Sequence, residues 1–499
     1  MEIVKKILPR ILLLSVLLVA MNYLYQRFFL EKDIQKYSDV INLVRAIPLD
    51  ADIVYIGESS NITFRSDDLD KRPISAFIAD HYPDLKVYDI TKPASHAGIY
   101  KVLLENIPDS SNVSTVIVTL NLRSFNAQWI HSKLETALQK SMVLLKPNPP
   151  LYNRFLLSFK AYDIKSDKER DRQVQREWEK DEFKVPFDFQ FSNVEEWDEY
   201  VAKEGVNNPD GSRNQELTEL ACHYIKGYAF QIDTANNPRI KDFNRIIQLA
   251  KKRGWNLVFN LLAENTERAE ELVGDDLLYF MQENRKLLIN YFTRKGVTVV
   301  DNMDDIENDL FVDQDWTTEH YAEKGRKTIA GNVADSLQKY YPGHYVGIDY
   351  NNFVQTAFFN DCDQRIIWGQ MQTITDEEAY SGKNSSRTGN GNDYSITFEY
   401  PLKIIPDSLK SKINISLKVY RNSLNDNGKL VIQAQGEHME YYWNGFELKE
   451  QVRKANSWED YHLTFDIPDN IKQADLIKIY VYNPLIETVF VDDFRIEFE

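Results

Sequence analysis

The chain begins with a stretch that is apolar on every side. Lys5, Lys6 and Arg10 precede the apolar run 11–21, and apolar positions continue through Tyr23-Leu-Tyr25 and Phe28-Phe-Leu30. A helix of about 20 such residues crosses the hydrocarbon core of a bilayer. Arg27 would snorkel to the far interface, and the basic flank favours an orientation with the N-terminus inside. Residues 1–35 are therefore expected to form a membrane anchor that leaves the bulk of the chain extracytoplasmic, periplasmic or at the cell surface. A cleaved signal peptide is the alternative, although Leu18-Val-Ala20 matches a cleavage site poorly.

From Asp52 the pattern changes to short apolar runs at 53–56, 85–88, 115–120, 256–260 and 296–300. Continuous apolar runs suit parallel strands covered on both faces. Helical periodicity fills 240–253, 275–295 and 323–340, and these stretches stop at or near Gly254, Gly296 and Pro342. The alternation predicts an α/β fold, a doubly wound parallel sheet over 45–343. Residues 165–213 are too long for a plain connection. Dense first in charge and then in aromatics (Phe187, Phe189, Phe191, Trp197, Tyr200), they read either as a solvated helical excursion or as a lid over a site.

Beyond His344 the helical period disappears. Alternating runs at 395–400, 414–420, 429–433, 461–465, 476–482 and 489–496, separated by Gly, Asn and Asp turns, predict an all-β sandwich over 350–499.

Composition narrows the function classes. The 499 residues are 43% hydrophobic and 27% charged, which is a globular composition. A net charge of −17 argues against a nucleic-acid partner held by a basic surface. Two cysteines, Cys222 and Cys362, are too few for a disulfide framework, and the eight histidines show no metal-ligand spacing. No metal or cofactor is expected. No Gly-x-Gly-x-x-Gly follows a strand, which disfavours a dinucleotide enzyme.

The candidate chemistry lies at Gly57-Glu58-Ser59, where the first predicted strand ends and a serine follows at the carboxyl edge of the sheet. This segment resembles the first block, Gly-Asp-Ser, of the SGNH (GDSL) hydrolase superfamily, with Ser59 matching the nucleophile. Three more segments resemble later blocks in the same order: 88–98 ending at Gly98, Thr119-Leu-Asn121, and 311–327 containing His320. The resemblance implies Ser59 as nucleophile, His320 as general base, and the Ser59 amide, Gly98 amide and Asn121 side chain as oxyanion donors. It departs from the family where an aspartate is usual three residues before the histidine, because that position is Thr317. Asp313 and Asp315 both remain candidates for orienting His320, and a Ser-His dyad is the alternative. His96 reads as a surface-loop histidine.

An anchor followed by such a domain resembles DltD-like D-alanyl transfer proteins and alginate-acetylation proteins, which work beside a membrane-bound O-acyltransferase. The resemblance implies an esterase or O-acyltransferase acting on an envelope or extracellular polysaccharide. The departures at Glu58, Thr119 and Thr317 keep open a catalytically inactive glycan-binding scaffold. The C-terminal segments 380–386, 458–468 and 489–494 resemble galactose-binding-type jelly rolls that serve as carbohydrate-binding modules. Trp443 with Tyr441-Tyr442 then reads either as a sugar-stacking platform or as sandwich core.

Overall fold

The computed structural model describes residues 2–45, 47–350, 354–363, 368–436 and 442–499. They divide into two compact units, one of Met1–Phe64 with Ile74–Val346 and one of Arg65–Pro73 with Gly347–Glu499. Residues 65–73, inside the expected α/β range, thus group with the second unit.

The first unit opens with helix α1 (Glu2–Phe28), whose segment Ile7–Phe28 has a mean hydropathy of 2.0 and is long and apolar enough to cross a membrane. The short helix α2 (Leu30–Tyr37) follows and turns Ile34 into the core. A five-stranded parallel sheet forms the centre of the unit: β1 (Ile53–Gly57), β2 (Val87–Thr91), β3 (Thr115–Leu120), β4 (Asn256–Leu261) and β5 (Thr298–Asp301). The strand order is β2-β1-β3-β4-β5. The chain leaves β1 in one direction and returns on its other side, so a topological switch point lies between β1 and β3, where doubly wound sheets open a crevice at their carboxyl ends. β1 and β3 are buried along their whole length, which is why both read as unbroken apolar runs.

The helices used below are α3 (Ser59–Ile62), α4 (Ala97–Glu105), α5 (Pro150–Ser158), α6 (Asp167–Trp178), α7 (Val194–Glu204), α8 (Gln215–Tyr228), α9 (Pro238–Arg253), α10 (Asp275–Thr293) and α11 (Glu323–Leu337). Local chemistry sets their ends. α9 starts on Pro238 after an Asn237 cap and stops at Gly254 in the left-handed conformation.

The 165–213 excursion joins a largely exposed helix to a group of packed aromatics. α6 opens on a capping box made by Ser166 and Glu169. Among the aromatics after it, Phe183, Phe189 and Trp197 turn inward, with the Phe183 ring 4.6 Å and the Trp197 ring 6.2 Å from Phe280 on α10, and Phe189 packed edge-on against Trp197 at 5.0 Å, while Phe187 and Tyr200 stay exposed. Offset and edge-to-face rings of this kind add to the burial energy.

The second unit is a pair of antiparallel sheets. In chain order its strands are β6 (Ala357–Asn360), β7 (Ile374–Thr375), β8 (Ser385–Thr388), β9 (Phe398–Tyr400), β10 (Lys412–Arg421), β11 (Lys429–Gln435), β12 (Tyr442–Glu447), β13 (Trp458–Asp466), β14 (Leu476–Tyr482) and β15 (Val489–Phe498). One sheet runs β13-β10-β15-β8-β7, with β6 also on β15, and the other runs β9-β14-β11-β12. Side chains alternate as a sandwich requires: Ile477, Ile479 and Val481 of β14 join the core, while Lys478 and Tyr482 stay partly open.

Replacing Phe280 by alanine should remove the common partner of the excursion's rings. The expected cost is about 3–5 kcal/mol, read as a lower denaturation midpoint of the α/β unit with faster proteolysis inside 180–200.

Candidate active site

β1 delivers a serine to the crevice by a turn that only glycine allows. A Cβ on Gly57 would meet the Tyr55 ring at 2.8 Å and Asn61 Cβ at 3.1 Å. The chain passes through extended Glu58 and enters α3 at Ser59. Asn61 fastens that short helix to the next strand: its fully buried amide donates to Asp89 Oδ2 and Thr91 Oγ1, both at 2.8 Å, and its Oδ1 accepts from the Ser75 amide at 3.0 Å.

His320 arrives on a tight hairpin. Phe311 bridges Tyr321, the Val312 amide donates to the His320 carbonyl at 2.9 Å, and the Tyr321 hydroxyl donates to the Ala263 carbonyl at 2.8 Å just past β4. The imidazole then lies between two partners. Nε2 is 2.9 Å from Ser59 Oγ and Nδ1 is 2.7 Å from Asp313 Oδ2. An ionised Asp313 accepts the Nδ1 proton, so the consistent tautomer leaves Nε2 bare to accept from the serine. Thr318 Oγ1 donates to the same Asp313 oxygen at 2.5 Å.

Of the two aspartates open in the sequence, the hairpin brings Asp313 to His320. Asp315 is exposed at the loop's outer side and makes no hydrogen bond to His320. The usual aspartate position, Thr317, is buried and occupied otherwise: its carbonyl and Oγ1 both accept from Arg123 Nη1.

Arg123 stands in the turn after β3 and is buried. It holds Glu319, next to His320, through two bonds of 2.5 Å in fork geometry. Two further buried carboxyls lie in its field. Glu58 is pushed up to about 8, first by burial and then by the charge of Glu319. Glu264, hydrogen-bonded by the Tyr228 hydroxyl at 2.5 Å, is raised well above the usual carboxylate range by the same causes in the same order. In both, burial and the neighbouring carboxylate disfavour the charged form, and the Arg123 guanidinium works against them.

The oxyanion donors expected from the sequence are met only in part. Asn121 Nδ2 donates one hydrogen to Glu58 Oε1 at 2.7 Å, and its Oδ1 accepts from the Ser124 amide at 3.2 Å. An amide nitrogen carries two hydrogens, so one remains. The Ser59 amide opens α3 and has no intrahelical acceptor. Gly98 is a correction. Its amide donates to His96 Nδ1 at 3.1 Å, capping α4, and a Cβ there would meet Asp242 Oδ2 at 2.9 Å. His96 is a second correction, since it is buried rather than on the surface. Its Nδ1 also receives Arg239 Nη1 at 2.8 Å, Nε2 faces Glu135 at 2.5 Å, and burial holds its pKa below the ordinary value.

A second candidate site lies on the outer face of the β9-β14-β11-β12 sheet, an open cleft of about 500 Å3. Register places Glu399, Lys478, Gln433 and Trp443 in one row across the four strands. Lys478 Nζ donates to Glu399 at 2.8 Å and the Tyr480 hydroxyl donates to Gln433 Oε1 at 2.8 Å. The Trp443 ring lies over Gly445, where a Cβ would come within 2.7 Å of it, and Trp443 stays 42% exposed. Tyr394, Tyr480 and Tyr482 complete the aromatic lining, with Tyr394 5.5 Å and 5.4 Å from the other two rings. Tyr442 faces the other way and packs on Phe465 at 6.1 Å, so it belongs to the sandwich core rather than to a platform. Tyr441 lies outside the described residues. The tyrosines at 480 and 482 were readable in the alternation of β14, whereas Gln433 and Tyr394 carried no signal of their own.

No protein-family model matches the chain, and no curated protein matches it. Solved structures similar to part of it include carbohydrate-binding modules. The Clostridium thermocellum endo-1,4-beta-D-xylanase 10B CBM22-1-GH10 structure with xylohexaose is 16% identical over 26% of this chain and 24% of that one, with a TM-score of 0.20. The CBM22-1 xylan-binding domain of Paenibacillus barcinonensis Xyn10C is 14% identical over 25% and 78%, with a TM-score of 0.19. A family 16 carbohydrate-binding module is 10% identical over 25% and 82%, with a TM-score of 0.19. The chain spans about a quarter of the first of these, and likeness this slight carries no conclusion about function.

Glu58 gives this site a signature in pH. A carboxyl raised from 4.5 to about 8 on folding contributes stability that is fully present below pH 4.5 and is lost as pH rises through 8. Glu58→Gln, which keeps an acceptor for Asn121 but cannot ionise, should flatten the fall of Tm between pH 5 and 8. Thermal unfolding at stepped pH measures it.

Proposed function

We propose that the chain is an exported SGNH-type serine enzyme, an acyl-ester hydrolase or O-acyltransferase working on a cell-envelope or extracellular polysaccharide. The observation that carries this reading is the unbroken Ser59–His320–Asp313 chain of hydrogen bonds at the carboxyl edge of a doubly wound sheet.

In this reading His320 Nε2 takes the Ser59 proton as Oγ attacks the acyl carbonyl, and Asp313 steadies the imidazolium. The Ser59 amide and the remaining Asn121 hydrogen face the oxyanion. His320 then returns its proton to the leaving sugar hydroxyl, leaving an acyl-Ser59. Water or a second sugar hydroxyl, deprotonated by His320, accepts the acyl group and restores the serine. A neutral Glu58 suits this chemistry, because an ionised carboxyl behind Asn121 would oppose the oxyanion. The aromatic row around Trp443, with amide and charged groups beside it, suits sugar rings, whose C–H faces stack on aromatics while hydroxyls reach polar side chains. A membrane-bound acyl donor partner fits the transferase form.

A second reading, an inactive glycan-binding scaffold, draws on the commitment of the Gly98 amide to His96. One experiment separates the two. The protein is exposed to p-nitrophenyl acetate and to a fluorophosphonate, with release and intact mass followed. The serine mechanism predicts one adduct on Ser59. Ser59→Ala and His320→Ala should lower turnover by about a thousandfold or more, Asp313→Asn by about a hundredfold or more, and Asp315→Asn by less than about twofold. No adduct with either reagent would favour the scaffold.

The cleft is tested separately by affinity electrophoresis in gels holding soluble neutral and acidic polysaccharides. Trp443→Ala should weaken retardation about fivefold, the equivalent of about 1 kcal/mol, while Tyr442→Ala lowers stability instead.

A further inference from the structure

α5 carries an aromatic stripe that faces away from the protein. Asn153 and Leu157 point inward, whereas Tyr152 and Phe155 on the helix and Phe159, which caps its C-terminal end, are 53%, 44% and 76% exposed, and the last two rings stack at 6.4 Å. Exposed aromatics so grouped mark a contact surface.

Its occupant is indicated by what α5 is fastened to. The Leu151 amide donates to the Asn22 side chain at 3.0 Å, and Asn22 lies inside the apolar segment Ile7–Phe28. Phe28 lies six positions beyond Asn22, about 9 Å along a helix axis. If α1 spans a bilayer, the start of α5 therefore sits below the level at which α1 emerges. The backbone there suits a place without water. Pro147, Pro149 and Pro150 have no N–H to leave unpaired, the Asn148 amide is taken by the Lys146 carbonyl, and the Leu151 amide by Asn22. Charge is neutralised as well: Arg154 pairs with Asp33 at 2.7 Å and lies over the Tyr37 ring, and Asp33 also accepts from the Tyr25 hydroxyl at 2.9 Å. Tyr and Phe rings at this level match the aromatic belt of membrane proteins.

We propose that the Tyr152–Phe155–Phe159 face of α5 is a bilayer-docking surface, immersed in the leaflet from which α1 emerges, which holds the α/β unit against the membrane. The inference rests on reading α1 as a membrane span. The full chain is reconstituted into vesicles of phosphatidylcholine and phosphatidylglycerol, with single cysteines carrying nitroxide labels at positions 16, 155, 159 and, as a solvent control, 270. The native cysteines are buried, and burial raises the Cys222 thiol to about 11, so they stay unlabelled at neutral pH.

Collision with oxygen, which partitions into lipid, is compared with collision with a water-soluble nickel chelate. The proposal expects Val16→Cys, Phe155→Cys and Phe159→Cys to favour oxygen and Glu270→Cys to favour nickel, an inversion of the ratio. Labels at 155 and 159 that behave like 270 while 16 favours oxygen would overturn the docking surface and leave the anchor standing. Shielding of 155 and 159 from both reagents would assign the face to a protein partner and overturn it too. A label at 16 that favours nickel would remove the anchor and the inference together.

Discussion

A guanidinium removed from water must be paired, and Arg123 is paired so that two loops of the α/β unit are locked to each other. From the turn after β3 it grips Glu319 and the Thr317 carbonyl, the residues flanking the approach to His320. The position of the imidazole over Ser59 therefore depends on an ion pair that excludes solvent. The same pair sets the state of its neighbours. Burial, reinforced by the Glu319 carboxylate, raises Glu58 and Glu264 above the ordinary carboxylate range, and Glu58 lies directly before the serine.

Much of the α/β layout could be read from residues alone, because strands buried on both faces announce themselves as apolar runs and helices end at glycines. β2 begins at Val87, two residues after the apolar run at 85–88 starts, since its first residues are half exposed and carry no sharp boundary. In the sandwich, β8 carries no alternating signal because Ser385, Ser386 and Thr388 are polar by type yet fully buried. They sit inside through local bonds such as Ser386 Oγ with Thr373 and with the Ile396 amide, both 2.8 Å, which no periodicity reveals.

The candidate site was partly legible for a related reason. Ser59, His320 and Asn121 stand at ends of elements, where sequence order and strand edges constrain position. Gly98 did not serve as expected because the resemblance specifies a residue type, whereas the destination of its amide depends on His96, a side chain two positions away. Choosing between Asp313 and Asp315 required the hairpin, since only pairing of Phe311 with Tyr321 tells which aspartate turns inward. Likewise the opposite orientations of Tyr442 and Trp443 follow from strand alternation, once β12 is known to be a strand at all.

The hairpin has an evolutionary consequence. Asp313 reaches His320 across a bridged pair rather than along one helical turn, and the residues between them are tied down by Arg123, which holds Thr317 and Glu319. Insertions and deletions there would have to keep the Arg123 grip on Thr317 and Glu319 to leave Asp313 against His320. Sequence patterns that demand an aspartate three positions before the histidine will pass over chains built this way, and relatives should instead be sought by a buried arginine after the third strand with a glutamate beside the histidine to receive it.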